Sequence, residues 1–145
     1  MPVEHLLENN ARLLAFRFHG SVRQEKVEAA ILSLARSTDL HTEYRSFLLF
    51  HGSTDLSEIG PEELKTIKSR MNAAYDKASV QRSLGAIVVD GSLDAKIIMP
   101  LWKAMCDADQ DTDMRYRFFI EVAPALAWLD IVETPSLKEF LASGE

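Results

Sequence analysis

Apolar and polar residues alternate from Arg12 to His19, with Leu14, Phe16 and Phe18 falling between Ala15, Arg17 and His19. That period of two predicts a half-buried strand. Asn9-Asn10 ahead of it is turn chemistry, because Asn tolerates positive φ. Glu4 to Glu8 would then be the partner strand of a hairpin. Gly20-Ser21 ends the strand, and Ser21 with Gln24 reads as a capping box that opens a helix. Val27, Ala30, Ile31 and Leu34 share one face of that helix, which should end near Ser37. The continuous run Phe47-Leu48-Leu49-Phe50 within Ser46 to His51 suits a central strand covered on both sides.

A polar stretch from Gly52 to Gly60 follows. Pro61 fits the first residue of a helix, where its missing N–H costs nothing, and Glu62 and Glu63 suit the helix dipole. Leu64, Ile67, Met71, Ala74, Tyr75 and Ala78 carry the apolar stripe onward. Gly85 to Val89 predicts a second buried strand. Asp90-Gly91-Ser92 then turns the chain, with Asp94 as the expected N-cap. Ile97, Ile98, Leu101, Trp102 and Met105 form the next apolar face, and Pro100 should kink that helix or mark its true start. Tyr116 to Ile120 predicts a third buried strand. A short helix with Val122, Ala125, Leu126 and Leu129 on one face follows, and Thr134-Pro135 caps a last piece in which Leu137, Phe140 and Leu141 face inward.

Strands alternating with helices imply right-handed crossovers and parallel pairing. The expected fold is α/β: a single mixed, mainly parallel sheet of four or five strands with an N-terminal antiparallel hairpin. About four helices pack on it. Residues 1–145 would form one domain, with 131–145 as a C-terminal helical tail. Phe47–Phe50, Ile87–Val89 and Phe118–Ile120 are expected side by side as its shielded middle.

Three local features resemble the STAS-like family, related to the sporulation anti-anti-sigma factor and compared by fold with lipid-carrying CRAL-TRIO domains. Phe18-His19-Gly20-Ser21-Val22 is similar to the strand end and cap that open the first helix. Asp55-Leu56-Ser57 is similar to the Asp-Leu-Ser that often follows the central strand. Ala125-Leu126-Ala127-Trp128-Leu129 resembles the Ala-Leu-x-Trp-Leu close of many small bacterial members. The likeness spans roughly residues 4 to 130. It implies a regulatory or binding module rather than an enzyme. Regulatory members carry a phosphorylatable serine in Asp-Ser-Ser/Thr-Gly at a helix start. Here Ile59-Gly60-Pro61-Glu62-Glu63 stands in that place, and the nearby Ser53 and Ser57 do not match it.

Composition narrows the classes. Among 145 residues, 16 are basic and 22 acidic, a net charge of −6 with a pI near 5.2. That argues against a broad grip on nucleic-acid phosphates. Residues 73–145 hold 7 basic and 12 acidic side chains, against 9 and 10 in residues 1–72. The later half is therefore the more acidic. The lone cysteine, Cys106, leaves no partner for an internal disulfide or a multi-cysteine zinc site. No apolar run is long enough to cross a membrane as a helix. Met1-Pro2-Val3-Glu4-His5 lacks a secretory layout, so a cytoplasmic location is expected.

In open parallel sheets, ligands sit beyond the carboxyl ends of the strands. Here those ends are His51 to Asp55 and Asp90 to Ser92, which makes His51, Ser53 and Asp90 candidate polar contacts in a pocket. Serines and aspartates in such loops also cap helices and tighten turns. A Ser-His-Asp triad has no Gly-x-Ser-x-Gly elbow to support it. The Asp107, Asp109, Asp111, Asp113 run is similar to the front of a calcium loop but lacks its glycine and its closing glutamate. His5, His19, His41 and His51 show no metal-ligand spacing. No catalytic residue, metal or cofactor is therefore expected. The helix bearing Leu101, Trp102 and Met105 could lift from the sheet to expose a groove, with Trp102 on its wall.

The leading expectation is a non-enzymatic module that binds a partner protein, or its own copy in a homodimer, through a helix face. The alternative is a small carrier holding a lipophilic or anionic molecule between the sheet and a mobile helix.

Overall fold

The structure, a computed structural model, describes residues 2–38, 43–109 and 114–142. Five strands form one sheet in sequence order: β1 (Val3–Glu8), β2 (Leu13–Phe18), β3 (Glu43–Phe50), β4 (Gln81–Val89) and β5 (Arg115–Phe119). β1 pairs antiparallel with β2, and every other neighbour is parallel. The α/β class and the mixed sheet with its antiparallel hairpin are as expected. Among the described residues there are five helices, where about four were expected: α1 (Gln24–Ser37), α2 (Pro61–Lys77), α3 (Leu93–Asp107), α4 (Val122–Trp128) and α5 (Pro135–Ala142).

The sheet is covered on both sides. Leu14, Phe16, Phe18, Leu48, Phe50, Ile87 and Val89 point toward α1, α2 and α3. Leu13, Ala15, Phe47, Leu49, Ala86 and Val88 point toward α4 and α5. This double cover corrects the half-buried reading of β2. All six of its residues are buried, Arg17 included, because the parallel strand beside it continues both cores. Phe18 lies in register with Phe50, and their rings stack 4.3 Å apart, 7° from coplanar.

Further expectations are corrected. The shielded middle includes β3 and β4 but not β5, which is the open edge of the sheet. Phe118 is 37% exposed and Ile120 80% exposed. The N-cap of α1 is Arg23, with no side-chain bond to the helix. Ser21 instead sits in a bridge with Asp55. The N-cap of α3 is Ser92, not Asp94: the Ser92 hydroxyl accepts from the Ala95 N–H at 3.2 Å and donates to the Thr54 carbonyl at 2.9 Å. Asp94 instead accepts from the Leu56 N–H at 2.8 Å. Pro61 does open α2, and Glu63 reaches back to the Gly60 N–H at 2.9 Å. Pro100 lies inside α3 on an exposed side, and does not mark the start of the helix. In the hairpin turn the positive φ falls at Arg12 (53°), not at the asparagines.

Candidate functional site

At the carboxyl ends of β3 and β4, the expected polar residues mostly build turns. The chain bends at Gly52 and Gly91, which pack closely. A Cβ on Gly52 would come within 3.1 Å of the Asp90 carbonyl, and Gly91 has φ +82°. Ser53 accepts from the Gly20 N–H at 3.2 Å. The Asp90 N–H donates to the Phe50 carbonyl, while its side chain is in solvent. Asp55 accepts from the Ser57 N–H at 2.9 Å. Its carboxyl is held below the usual range, first by the Ser57 side chain and then by that backbone bond. The Asp55 backbone bonds to Gly20 and Val22. The Asp-Leu-Ser segment therefore ties the start of α1 to the loop before α2.

Trp102 is elsewhere. It is buried under α3, in a cavity of about 70 Å³ between the sheet and α1, α2 and α3. His51, Ser53 and Asp90 do not line this cavity. The candidate residues thus separate into a turn cluster and one cavity wall. Most of the wall is aliphatic or aromatic, including Phe16, Phe50, Ile67 and Met99. Its polar members are Ser46, Tyr75, Arg82, Tyr116 and the Trp102 indole. Gly85 belongs to the same end. A Cβ there would lie 2.4 Å from the Tyr116 ring, so the missing side chain lets that ring lie on β4. Burial pushes the Tyr116 phenol up to about 12 and the Cys106 thiol up to about 11. Tyr75 is raised further still, again by burial. All three are neutral at physiological pH. Cys106 is a buried core residue of α3.

Sequence reading missed Arg82. The apolar run predicts a strand from Gly85, whereas β4 starts at Gln81 and carries Arg82 against α2.

The acidic run is divided. Lys103 pairs with Asp107, and Lys68 and Asn72 bond to Asp109. Asp111, Asp113 and His41 lie outside the described residues. Among the described residues, no group of three or more His, Cys, Asp or Glu could hold a metal ion.

A third feature is on the outside. The buried face of α3 is Ala95, Met99, Trp102 and Cys106. On its opposite face are Leu93 and Ile97, each 73% exposed, with exposed Pro100, Leu101 and Ala104 beside them. Next to Pro100 a groove of about 490 Å³ runs to the edge strand, walled by Val89, Phe118, Ile120 and Pro124. α3 is thus apolar on two opposite sides, although a surface helix ordinarily turns a polar face to water. Lys96 lies on the groove, and Arg115 and Arg117 project from β5. None of these three pairs with a carboxylate among the described residues. Arg117 instead lies over the rings of Phe119 and Trp128. No described helix is long and apolar enough to cross a membrane.

Comparison with protein-family models, with curated proteins and with solved structures found no match.

Proposed function

We propose that the chain is a STAS-like binding module that acts through protein–protein contact and performs no chemistry of its own. The observation that carries this reading is the apolar outer face of α3, continued by Phe118 and Ile120 at the open edge of the sheet. Burying a Leu or Ile side chain is worth about 1.5–3 kcal/mol. Leaving Leu93, Ile97 and Ile120 in water forgoes that gain three times within one patch. Contiguous patches of this kind mark interaction sites. Lys96 lies on the groove and pairs with no carboxylate among the described residues, which favours a partner whose rim is acidic, in an otherwise acidic protein. A second copy of the chain, with its surplus of carboxylates, is within that class. The family likeness in Phe18–Val22, Asp55–Ser57 and Ala125–Leu129 agrees with a binding role.

The test places a photo-crosslinking side chain at Ile97, with Ser69 on the exposed side of α2 as control. Capture of one discrete protein, or of a second copy, at Ile97 and not at Ser69 is the expected result. Capture of lipid alone, or equal labelling at both sites, overturns the proposal.

A further inference from the structure

The cavity beneath α3 carries a second inference, independent of the docking face. Its single charged wall residue is Arg82. The guanidinium carbon lies 4.5 Å from the centre of the Tyr75 ring. One terminal nitrogen is 3.3 Å from the Met71 sulfur, and the other donates to Asn72 Oδ1 at 3.1 Å. Met71 and Tyr75 are themselves cavity walls, so the cation is held at the lining. Each of these three partners is neutral. The carboxylate reached through Asn72, that of Asp109, is engaged by Lys68. No acid pairs with Arg82 among the described residues. The neighbouring Tyr75, Tyr116 and Cys106 stay protonated, so they supply no counter-charge.

A half-buried cation facing neutral groups beside an apolar void is unusual, because low-dielectric surroundings penalise an unpaired charge. Two more polar features lie at the same cavity. The Trp102 Nε1–H is buried and makes no well-formed hydrogen bond among the described residues. Ser46 is a buried hydroxyl on a strand face otherwise built of Tyr44, Leu48 and Phe50. Together they offer donors to an anion and an apolar wall to a short chain. Guanidinium matches carboxylate geometry through paired N–H donors. The void of about 70 Å³ is smaller than the roughly 150 Å³ cavity that takes benzene. It therefore suits a chain of only a few carbons.

We propose that this cavity binds a short-chain monocarboxylate, its carboxylate on Arg82 and its hydrocarbon chain against Met71, Met99 and Trp102. The Tyr75 and Tyr116 hydroxyls, both donors at neutral pH, line the same space.

The test compares propionate with 1-propanol, which has the same number of carbons and no charge. Met methyl NMR reports locally: Met71 and Met99 line the cavity, whereas Met105 does not. Propionate is expected to shift Met71 and Met99 saturably and leave Met105 in place, binding at least tenfold more tightly than propanol. Arg82→Gln should lose that tenfold preference while still taking propanol. Equal affinity for the two probes in the native protein, or no shift of Met71 and Met99 at tens of millimolar propionate, overturns the proposal. The comparison in native protein decides the matter even where the variant does not fold.

Discussion

Gly85→Ala sets two effects of opposite sign against each other. A glycine inside a strand ordinarily costs about 0.5–1 kcal/mol relative to alanine, through backbone entropy. On that ground alone the substitution would stabilise the protein. The new methyl, however, would sit 2.4 and 2.5 Å from two carbons of the Tyr116 ring and 2.8 Å from the Met114 methyl. The Met114 end can swing aside. The Tyr116 ring cannot, because it is planar, buried and packed edge-on against Trp102 at 6.5 Å between centroids. Forcing a methyl into such a core costs about 1–3 kcal/mol, and three contacts below 3 Å place this site at the upper end. The net loss should be about 2 kcal/mol. A loss of that size lowers Tm by about 8 °C in a domain of this length. Urea unfolding measures it directly. Shortening the obstruction with Tyr116→Val should make the pair less destabilising than the sum of the two single changes, by about 1 kcal/mol or more. A Gly85→Ala protein as stable as the parent, or strict additivity with Tyr116→Val, would refute the packing argument.

Other consequences follow from the same structure. Ser92→Ala removes a buried N-cap that also donates to Thr54. It should cost about 1–2 kcal/mol by urea melt. Arg17→Ala should cost about 1–3 kcal/mol, because it removes charge-assisted hydrogen bonds to the partly exposed Glu4 carboxylate and to the Phe140 carbonyl at the end of α5. Protease sensitivity of α5 should rise with it. Burial alone would raise the Glu4 carboxyl, but the hydrogen bond with His19 and the charge and hydrogen bond of Arg17 together hold it below its ordinary value of 4.5. A depressed folded-state value means that Glu4 stabilises the fold above its unfolded pKa. That contribution is lost as pH falls from about 4.5 through the lower folded value. Glu4→Gln should flatten the acid limb of a stability–pH curve, and an unchanged limb would contradict the pairing. Cys106, with its thiol raised to about 11, should resist iodoacetamide at neutral pH until the protein is unfolded.

Much of the architecture was legible because period carries burial. Phe47–Phe50 and Gly85–Val89 are apolar at successive positions, as strands covered on both sides must be. The Pro61-Glu62-Glu63 start marks a helix by backbone chemistry alone. What escaped reading depended on distant neighbours. Phe118 and Ile120 look like core because an apolar strand reads alike whether its second neighbour is a strand or water. The first residues of β4 are polar, so the alternation that reveals a strand is missing where Arg82 lies against α2. Asp94 and Ser92 are both good cap residues; the loop carrying Thr54 and Leu56 decides which hydroxyl or carboxylate is drawn where. The turn residues His51, Ser53 and Asp90 were found by topology, which locates strand ends but not which side chains close a cavity. Helical spacing puts Trp102 on an apolar face of α3, and packing of that face seats it against the sheet beside the cavity rather than on an exposed groove.

The most direct measurement is the affinity of the complex captured at Ile97, compared between the native chain and Ile97→Asp. An apolar anchor replaced by a charge should weaken binding at least tenfold, since every 1.4 kcal/mol is a factor of ten. Because Ile97 is 73% exposed in the free chain, its Tm should stay within a degree or two of the parent. Undiminished affinity, or affinity lost only together with the fold, would contradict the assignment of the outer face of α3 as the binding surface.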